Sequence, residues 1–398
     1  MPELRSHILQ TPHSGIRRML EFARSVPSPI MLVNGDPNFG TPHHIIDAAA
    51  EAAHRGATGY APGQGVAELR EAIANKVEER NGIVASSQQV CVTTGACGGL
   101  YTSLVLLVDQ GDEILMPDPG WSNYAAMAHL IGASAVGYPV GGAVDWSLDP
   151  AVLEAAITPR TKVILVNSPG NPTGAVETSA RLSAVLEIAQ RHDLWVISDE
   201  AYDELVFEGI HTSTAALGGS ERVISIFSFS KTYAMTGWRV GYVVGPTEFS
   251  RQLSLHQEPV VSCASTISQH AALAALLGPQ DCVTEMVNTY RARRDCLTAQ
   301  LDALGCSYHS PQGAFFLMMD IRASGLGSWE FARQLLEEER VGVVPGAAFG
   351  DGGEGFVRVT LAASQEALTE GAARIGAMLR RVSPNTVPSR HGEYRGPS

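Results

Sequence analysis

The sequence predicts an α/β fold: a seven-stranded, mostly parallel sheet sandwiched by helices, followed by a smaller α+β domain. Three observations carry this. Seven short apolar runs lie at 89–93, 113–116, 134–140, 163–166, 195–198, 223–227 and 241–244. Most are β-branched and continuously apolar, as expected of strands buried on both faces. The segments between them alternate with helical patterns or turns, the order that builds a parallel sheet.

Taken in order, the run at 89–93 precedes a helix over 98–107, and 113–116 precedes one over 123–131. The strand at 134–140 is followed by a helix over 148–157, and 163–166 by a helix over 179–192. After Gly245 the texture changes. A long helical tract spans about 280–304, then come a strand at 315–320, a helix near 329–339, strands at 341–344 and 356–360, and a helix near 365–381. The domain division expected is an N-terminal arm and part of the small domain over 1–45, a large domain over 46–285 and a small domain over 286–382. The stretch 383–398, rich in Pro, Ser and Arg, reads as a mobile tail.

Composition narrows the function. Hydrophobic residues are 45% of the 398, enough for a large core, which excludes wholesale disorder. Lys plus Arg is 28 against 41 Asp plus Glu, a formal charge of -13. A chain this acidic lacks the electrostatic footprint of a nucleic-acid binder. Any anionic substrate must be gathered by local cations. Six cysteines form no CxxC and the 12 histidines show no HExxH, so neither a disulfide framework nor a metal centre is expected. No apolar stretch approaches the ~20 residues needed to span a bilayer, and a cytoplasmic location is expected.

Functional residues of α/β sheets gather at the carboxyl ends of strands. Asn167-Ser168-Pro169-Gly170-Asn171-Pro172-Thr173-Gly174 follows 163–166, and Asp199-Glu200-Ala201-Tyr202 follows 195–198. Ser228-Phe229-Ser230-Lys231 follows 223–227, with Arg239 eight residues on, and Gly95-Ala96-Cys97-Gly98-Gly99 follows 89–93. A lysine among apolar strands loses its proton through desolvation and becomes a nucleophilic amine, the requirement for a Schiff base. Serines, an arginine and amides at a helix N-terminus suit a phosphate dianion. An aspartate keeps a heteroaromatic nitrogen protonated. Together they suit pyridoxal 5'-phosphate, a carbonyl cofactor that acts as an electron sink.

With these motifs, and with Asn34-Gly35-Asp36-Pro37, Tyr60-Ala61-Pro62-Gly63-Gln64-Gly65, Asp118-Pro119-Gly120-Trp121 and Arg358-Val359-Thr360, all in order from about Gly15 to Arg381, the sequence resembles the class I/II aminotransferases of the fold type I pyridoxal-phosphate superfamily. The resemblance implies that Lys231 forms the Schiff base and then moves the proton at the substrate α-carbon. It implies that Asp199 pairs with the ring nitrogen and that Asn171 and Tyr202 bond the ring oxygen. Trp121 would stack on the ring. The amides of Ala96 and Cys97, with Ser228, Ser230 and Arg239, would hold the phosphate. Arg358 would grip the substrate carboxylate, helped by Asn171 and the Gly35 backbone. Tyr60 would reach the phosphate of a neighbouring subunit, which implies a homodimer with shared sites. Tyr124 stands as a partner for Asp199.

The implied reaction moves the α-amino group of an L-amino acid to a 2-oxo acid by a ping-pong route. The rival on the same scaffold is β-elimination at a C–S bond, or a related synthase. A third reading, a ligand sensor, lacks an appended DNA-binding module. The sequence departs from the family's dicarboxylate readers, which often carry an arginine about thirty residues beyond the lysine: none lies between Arg251 and Arg291. A second carboxylate would have to meet His13, Arg17 or Arg18, whereas Glu258 would favour a basic substrate.

Overall fold

The computed structural model of the chain describes residues 6–12, 14–141 and 145–382. The tail at 383–398 and His13 lie outside the described residues. Thirteen strands occur among them, in chain order: β1 (Ile30–Met31), β2 (Val90–Thr93), β3 (Glu113–Asp118), β4 (Ser134–Pro139), β5 (Thr161–Asn167), β6 (Trp195–Asp199), β7 (Val223–Ser228), β8 (Gly241–Val244), β9 (Tyr308–His309), β10 (Phe316–Asp320), β11 (Val341–Gly342), β12 (Val344–Pro345) and β13 (Phe356–Thr360). The seven runs read from the sequence form one sheet in the order β2-β8-β7-β6-β5-β3-β4. It is parallel except for β8, which runs antiparallel to both β2 and β7.

The inner strands are largely apolar because both faces are covered, whereas β4, at the edge of the sheet, is mostly exposed. Ile114, Met116, Val163, Leu165, Ile197 and Ile224 face one core, against the Gly95–Leu107, Asn123–Ile131 and Thr247–Val261 helices. The alternate residues Leu115, Ile164, Val166 and Val196 face another, against the Ser179–Arg191 helix. Val90, Val92, Tyr242 and Val244 pack under the His43–His54, Ala67–Asn81 and Thr266–Leu277 helices. Each Leu or Ile so buried contributes about 2 kcal/mol of hydrophobic stabilisation.

The second sheet is antiparallel, in the order β12-β13-β10-β9. Leu317, Met319, Val357 and Val359 enter its core with Leu335, Leu336 and Ile375 from the Ser328–Glu339 and Gln365–Val382 helices. The run read as one strand at 341–344 is two. β11 pairs in parallel with β1, while β12 pairs with β13. One apolar segment thus serves two sheets, which its composition does not reveal. The β1–β11 pairing ties the N-terminal segment to the C-terminal part of the chain.

Candidate active site

Four strand ends converge on one cavity of about 440 Å³. Gly35, Ala96, Cys97, Trp121, Asn171, Asp199, Tyr202, Ser228, Ser230, Lys231, Arg239 and Arg358 all line it. Tyr60, the remaining residue expected at the site, does not; it is 89% exposed.

Lys231 follows β7 on a single helical turn, Phe229–Thr232, which Ser228 caps by accepting the Ser230 N–H at 3.1 Å. The Lys231 Nζ donates to the Gly35 carbonyl at 2.7 Å and stands 6.0 Å from the centre of the Phe315 ring. Burial lowers the amine to about 8, although Asp36 opposes the shift. About a tenth is therefore uncharged at pH 7 and about half at pH 8, far more than for an ordinary lysine, which supplies the free amine a nucleophile requires.

Asp199 ends β6 and is 5% exposed. Tyr124 Oη donates to its Oδ2 at 2.6 Å, and the Ala201 N–H to its Oδ1 at 3.1 Å. Burial raises its pKa; the two hydrogen bonds pull the other way. Both donors are neutral, so the carboxylate has no bonded cation. Asn167 Nδ2 holds the Asp199 carbonyl at 3.0 Å, and Asn167 Oδ1 accepts the Asn171 N–H at 2.8 Å. One side chain thereby locks the ends of β5 and β6 together. Tyr202, buried edge-on against Phe315 and Phe316, has its hydroxyl pKa raised by burial, with the Arg358 charge opposing.

Arg239 lies at the N-terminus of the Gly95–Leu107 helix. Its backbone is left-handed, φ 52°, a conformation that costs a non-glycine residue about 1 kcal/mol or more. That turn lays the guanidinium against Gly95, where an added Cβ would meet Nη2 at 2.7 Å. Gly241 is equally required, because a Cβ there would stand 2.7 Å from the Ala96 nitrogen. Nη1 of Arg239 donates to the Thr236 carbonyl at 2.9 Å. The helix amides, Ser228, Ser230 and this cation make a concave anion site.

Arg358, in the middle of β13, is fully buried. It donates to Asn171 Oδ1 at 3.0 Å and to the Val33 carbonyl at 2.8 Å, and its Nε has no partner. Its guanidinium lies 4.1 Å from the Phe316 ring centre and 4.9 Å from that of Phe349. Burial lowers its pKa to about 9, with Tyr202 opposing, so it stays cationic at neutral pH. A buried cation held by neutral oxygens and ring faces can donate a bidentate hydrogen bond to a carboxylate.

Several lining residues escaped the sequence reading. Ile16, Thr236 and the Val33 carbonyl that braces Arg358 carry no residue-type signal, because a wall residue or a backbone carbonyl is anonymous until folded, whereas Asn167 stood in its strand-end motif without a role. Asp36 was visible in its motif without a role. Trp121 lines the cavity and meets Tyr124 edge-on at 5.3 Å. Of the residues considered for side-chain recognition, Arg17, Arg18 and Glu258 are exposed, and none lines the cavity.

Comparison with known proteins gives a consistent result. The model of the family "Aminotransferase class I and II" matches residues 27–375. The aromatic-amino-acid aminotransferase 2 of Thermococcus litoralis is 37% identical over 372 residues, 92% of this chain and 96% of the relative. The aspartate aminotransferase of Pyrococcus abyssi is 38% identical over the same shares. Among solved structures, the aspartate aminotransferase from Thermus thermophilus with maleate superposes with a TM-score of 0.91 at 34% identity, over 95% of this chain and 100% of the other.

Proposed function

Since the chain belongs to the class I and II aminotransferases, we propose that its cavity holds pyridoxal 5'-phosphate through Lys231 and carries an L-amino acid and a 2-oxo acid through amino transfer by turns. The protein is a transaminase; the assignment of roles to its residues is our reading. The observation that carries it is a desolvated amine, Lys231, sharing one cavity with a buried carboxylate and two guanidinium groups that have no carboxylate partner.

The donor set fits the cofactor. Asp199 is a buried anion awaiting a cation, which a protonated ring nitrogen supplies. Arg239, the Ala96 and Cys97 amides, Ser228 and Ser230 suit its phosphate. Asn171 and Tyr202 would bond its ring oxygen and Trp121 would stack on its ring face. When bound, the cofactor withdraws electrons from the substrate α-carbon. The chain's residues do the rest. Arg358 takes the α-carboxylate and fixes the orientation of the α-carbon bonds, with Asn171 steadying both groups. Lys231, once displaced, is the base that removes the α-proton and returns it on the far side of the amine. Its lowered basicity suits a proton that must be both taken and given up. Tyr202 and Asn171 would hold the ring oxygen, and the Phe315 ring, 6.0 Å from Nζ, shields the lysine from water.

Incubation with the cofactor and borohydride followed by peptide mapping tests this. A reduced adduct at Lys231 and its loss in Lys231→Ala are expected; an adduct elsewhere defeats the assignment. The half-reaction, loss of the imine absorbance on adding an amino acid without an oxo acid, separates amino transfer from elimination. Elimination would release ammonia and pyruvate from a cysteine conjugate.

Tyr60 is exposed and does not line its own cavity, which supports a homodimer in which it reaches the partner's phosphate site. The two main sheets support a large domain over 46–285 and a small domain over 286–382, with the N-terminal segment shared through β1. No described helix is long and apolar enough to cross a membrane, and the family suits a cytoplasmic location. The relatives named above are named for aspartate and for aromatic amino acids, so they leave the donor open.

A further inference from the structure

A second cavity of about 390 Å³ adjoins the first. Trp121 and Tyr124 line both. So does the Gly15–Ala23 helix, which presents Ile16 to the catalytic cavity and Gly15 to its neighbour. The helix sits directly on the floor: a Cβ at Gly15 would meet the Ala348 Cβ at 2.4 Å. The walls of the second cavity are mostly apolar, with Pro12, Trp121, Trp329, Ala348 and Phe349 among them, and Ser122 and Tyr124 are its uncharged polar side chains. Its charged residues are Asp118 and Asp351, both acids.

The inventory of cations is short. Lys231, Arg239 and Arg358 are the Lys and Arg residues among the described lining of the catalytic cavity, and each already has a task. The second cavity has none among its described lining. The sequence has only three lysines: Lys76 is buried against Asp203, and Lys162 is the second residue of β5, at the strand end away from the site. Arg17 and Arg18 of the roofing helix are exposed and neither is among the lining, although the Arg18 guanidinium lies 4.6 Å from the centre of the ring of Trp329, which is.

Three substituents of the substrate α-carbon have addresses in the proposed function: the carboxylate at Arg358, and the amino group and proton near Lys231. The fourth, the side chain, must lie along the Ile16 and Trp121 wall. A second carboxylate there finds no lysine or arginine among the described lining of the second cavity, and Asp36, Asp118 and Asp351 line the two cavities. Burying an unpaired carboxylate costs several kcal/mol. An aromatic or branched aliphatic side chain gains by the same transfer. Resting on the transaminase reading, we infer that this cavity is the side-chain subsite, and that it selects uncharged apolar side chains, aromatic ones best, over a second carboxylate.

The holoenzyme is mixed with L-phenylalanine, L-leucine, L-alanine, L-aspartate and L-glutamate in turn, and the half-reaction is followed by the imine absorbance. Phenylalanine and leucine are expected to exceed aspartate and glutamate at least tenfold in kcat/KM. Ala125→Phe, which fills the second cavity from the Asn123–Ile131 helix, is expected to cost phenylalanine at least tenfold and alanine less than twofold. Aspartate or glutamate matching phenylalanine overturns the inference. So does an equal loss for phenylalanine and alanine in the variant. If no donor reacts, alanine included, the transaminase roles fail first and this subsite with them.

Discussion

Tyr124 shows how much a single hydroxyl decides. It supplies the shortest hydrogen bond to the buried Asp199, at 2.6 Å, and opposes the upward push of burial on that carboxylate. Tyr124→Phe removes the donor and leaves a buried acceptor short of a partner, worth about 1–3 kcal/mol. A fall in kcat/KM of roughly tenfold or more is expected, with an unchanged far-ultraviolet spectrum as the check on folding. Lys231 predicts a pH effect. Its folded pKa, about 8, lies below the ordinary lysine value, so the free amine grows as pH rises through 8. Cofactor uptake by apoprotein should accelerate over pH 7–9; a flat profile would show that desolvation does not set its reactivity. Glu177 offers the opposite case. Its Oε1 accepts the Leu148 N–H at 2.8 Å, Oε2 has no partner, and burial raises its pKa to about 7. An acid whose folded pKa is raised loses stability as pH climbs from its unfolded value of about 4.5 through 7. Two to three pKa units correspond to about 3 kcal/mol. Glu177→Gln should therefore melt higher than the parent at pH 8, with the gap shrinking or vanishing at pH 5.

At the scale of elements, the Ala67–Asn81 helix is joined to the turn after β6 by buried charge. Lys76 pairs with Asp203, donates to Asn81 Oδ1 at 2.8 Å and lies 5.0 Å from the centre of the Phe227 ring. Burial works against its charge, but Asp203 and Glu204 outweigh it and hold the ammonium well above its ordinary pKa. Removing one member strands the other, a loss of about 3–5 kcal/mol. Lys76→Ala should lower the thermal midpoint by several degrees and loosen the turn that carries Asp199 and Tyr202, whereas Lys76→Met, which refills the space, should cost less of both stability and activity. This helix also marks where the sequence becomes hard to read. The inner strands of the large sheet are legible because helices cover both faces and leave little polar alternation, even though the edge strand β4 is mostly exposed. Helices whose inward face includes Lys76 and Asn81, or whose composition is mostly alanine and leucine, as in Thr266–Leu277, carry little contrast between faces. The site was legible for a related reason: charged and amide side chains at strand ends are conspicuous, while the Val33 carbonyl that braces Arg358 is not.

Across the whole molecule, the two main sheets meet where the loop following β12 docks on the end of β3. Gly120 donates its N–H to the Phe349 carbonyl at 2.8 Å, and Gly352 donates its own to Asp118 Oδ1 at 2.9 Å. Gly350 has φ +124°, and a Cβ there would stand 2.1 Å from Asp118 Oδ1. Gly350→Ala should therefore displace Phe349 from the Arg358 guanidinium. We expect KM for amino acids to rise about tenfold with a smaller change in kcat, measured by steady-state kinetics; an unchanged KM would show that the loop does not position the carboxylate site. The pairing of β1 with β11 reaches further. Ile30 waits for Val341, and Val33 for Arg358, across more than three hundred residues. During synthesis the first strand emerges with both edges bare and stays so until nearly the last segment leaves the ribosome. The large sheet has all its strands by then, but the carboxylate receptor does not exist until translation is almost finished. A truncated product thus exposes an apolar edge suited to chaperone capture or aggregation.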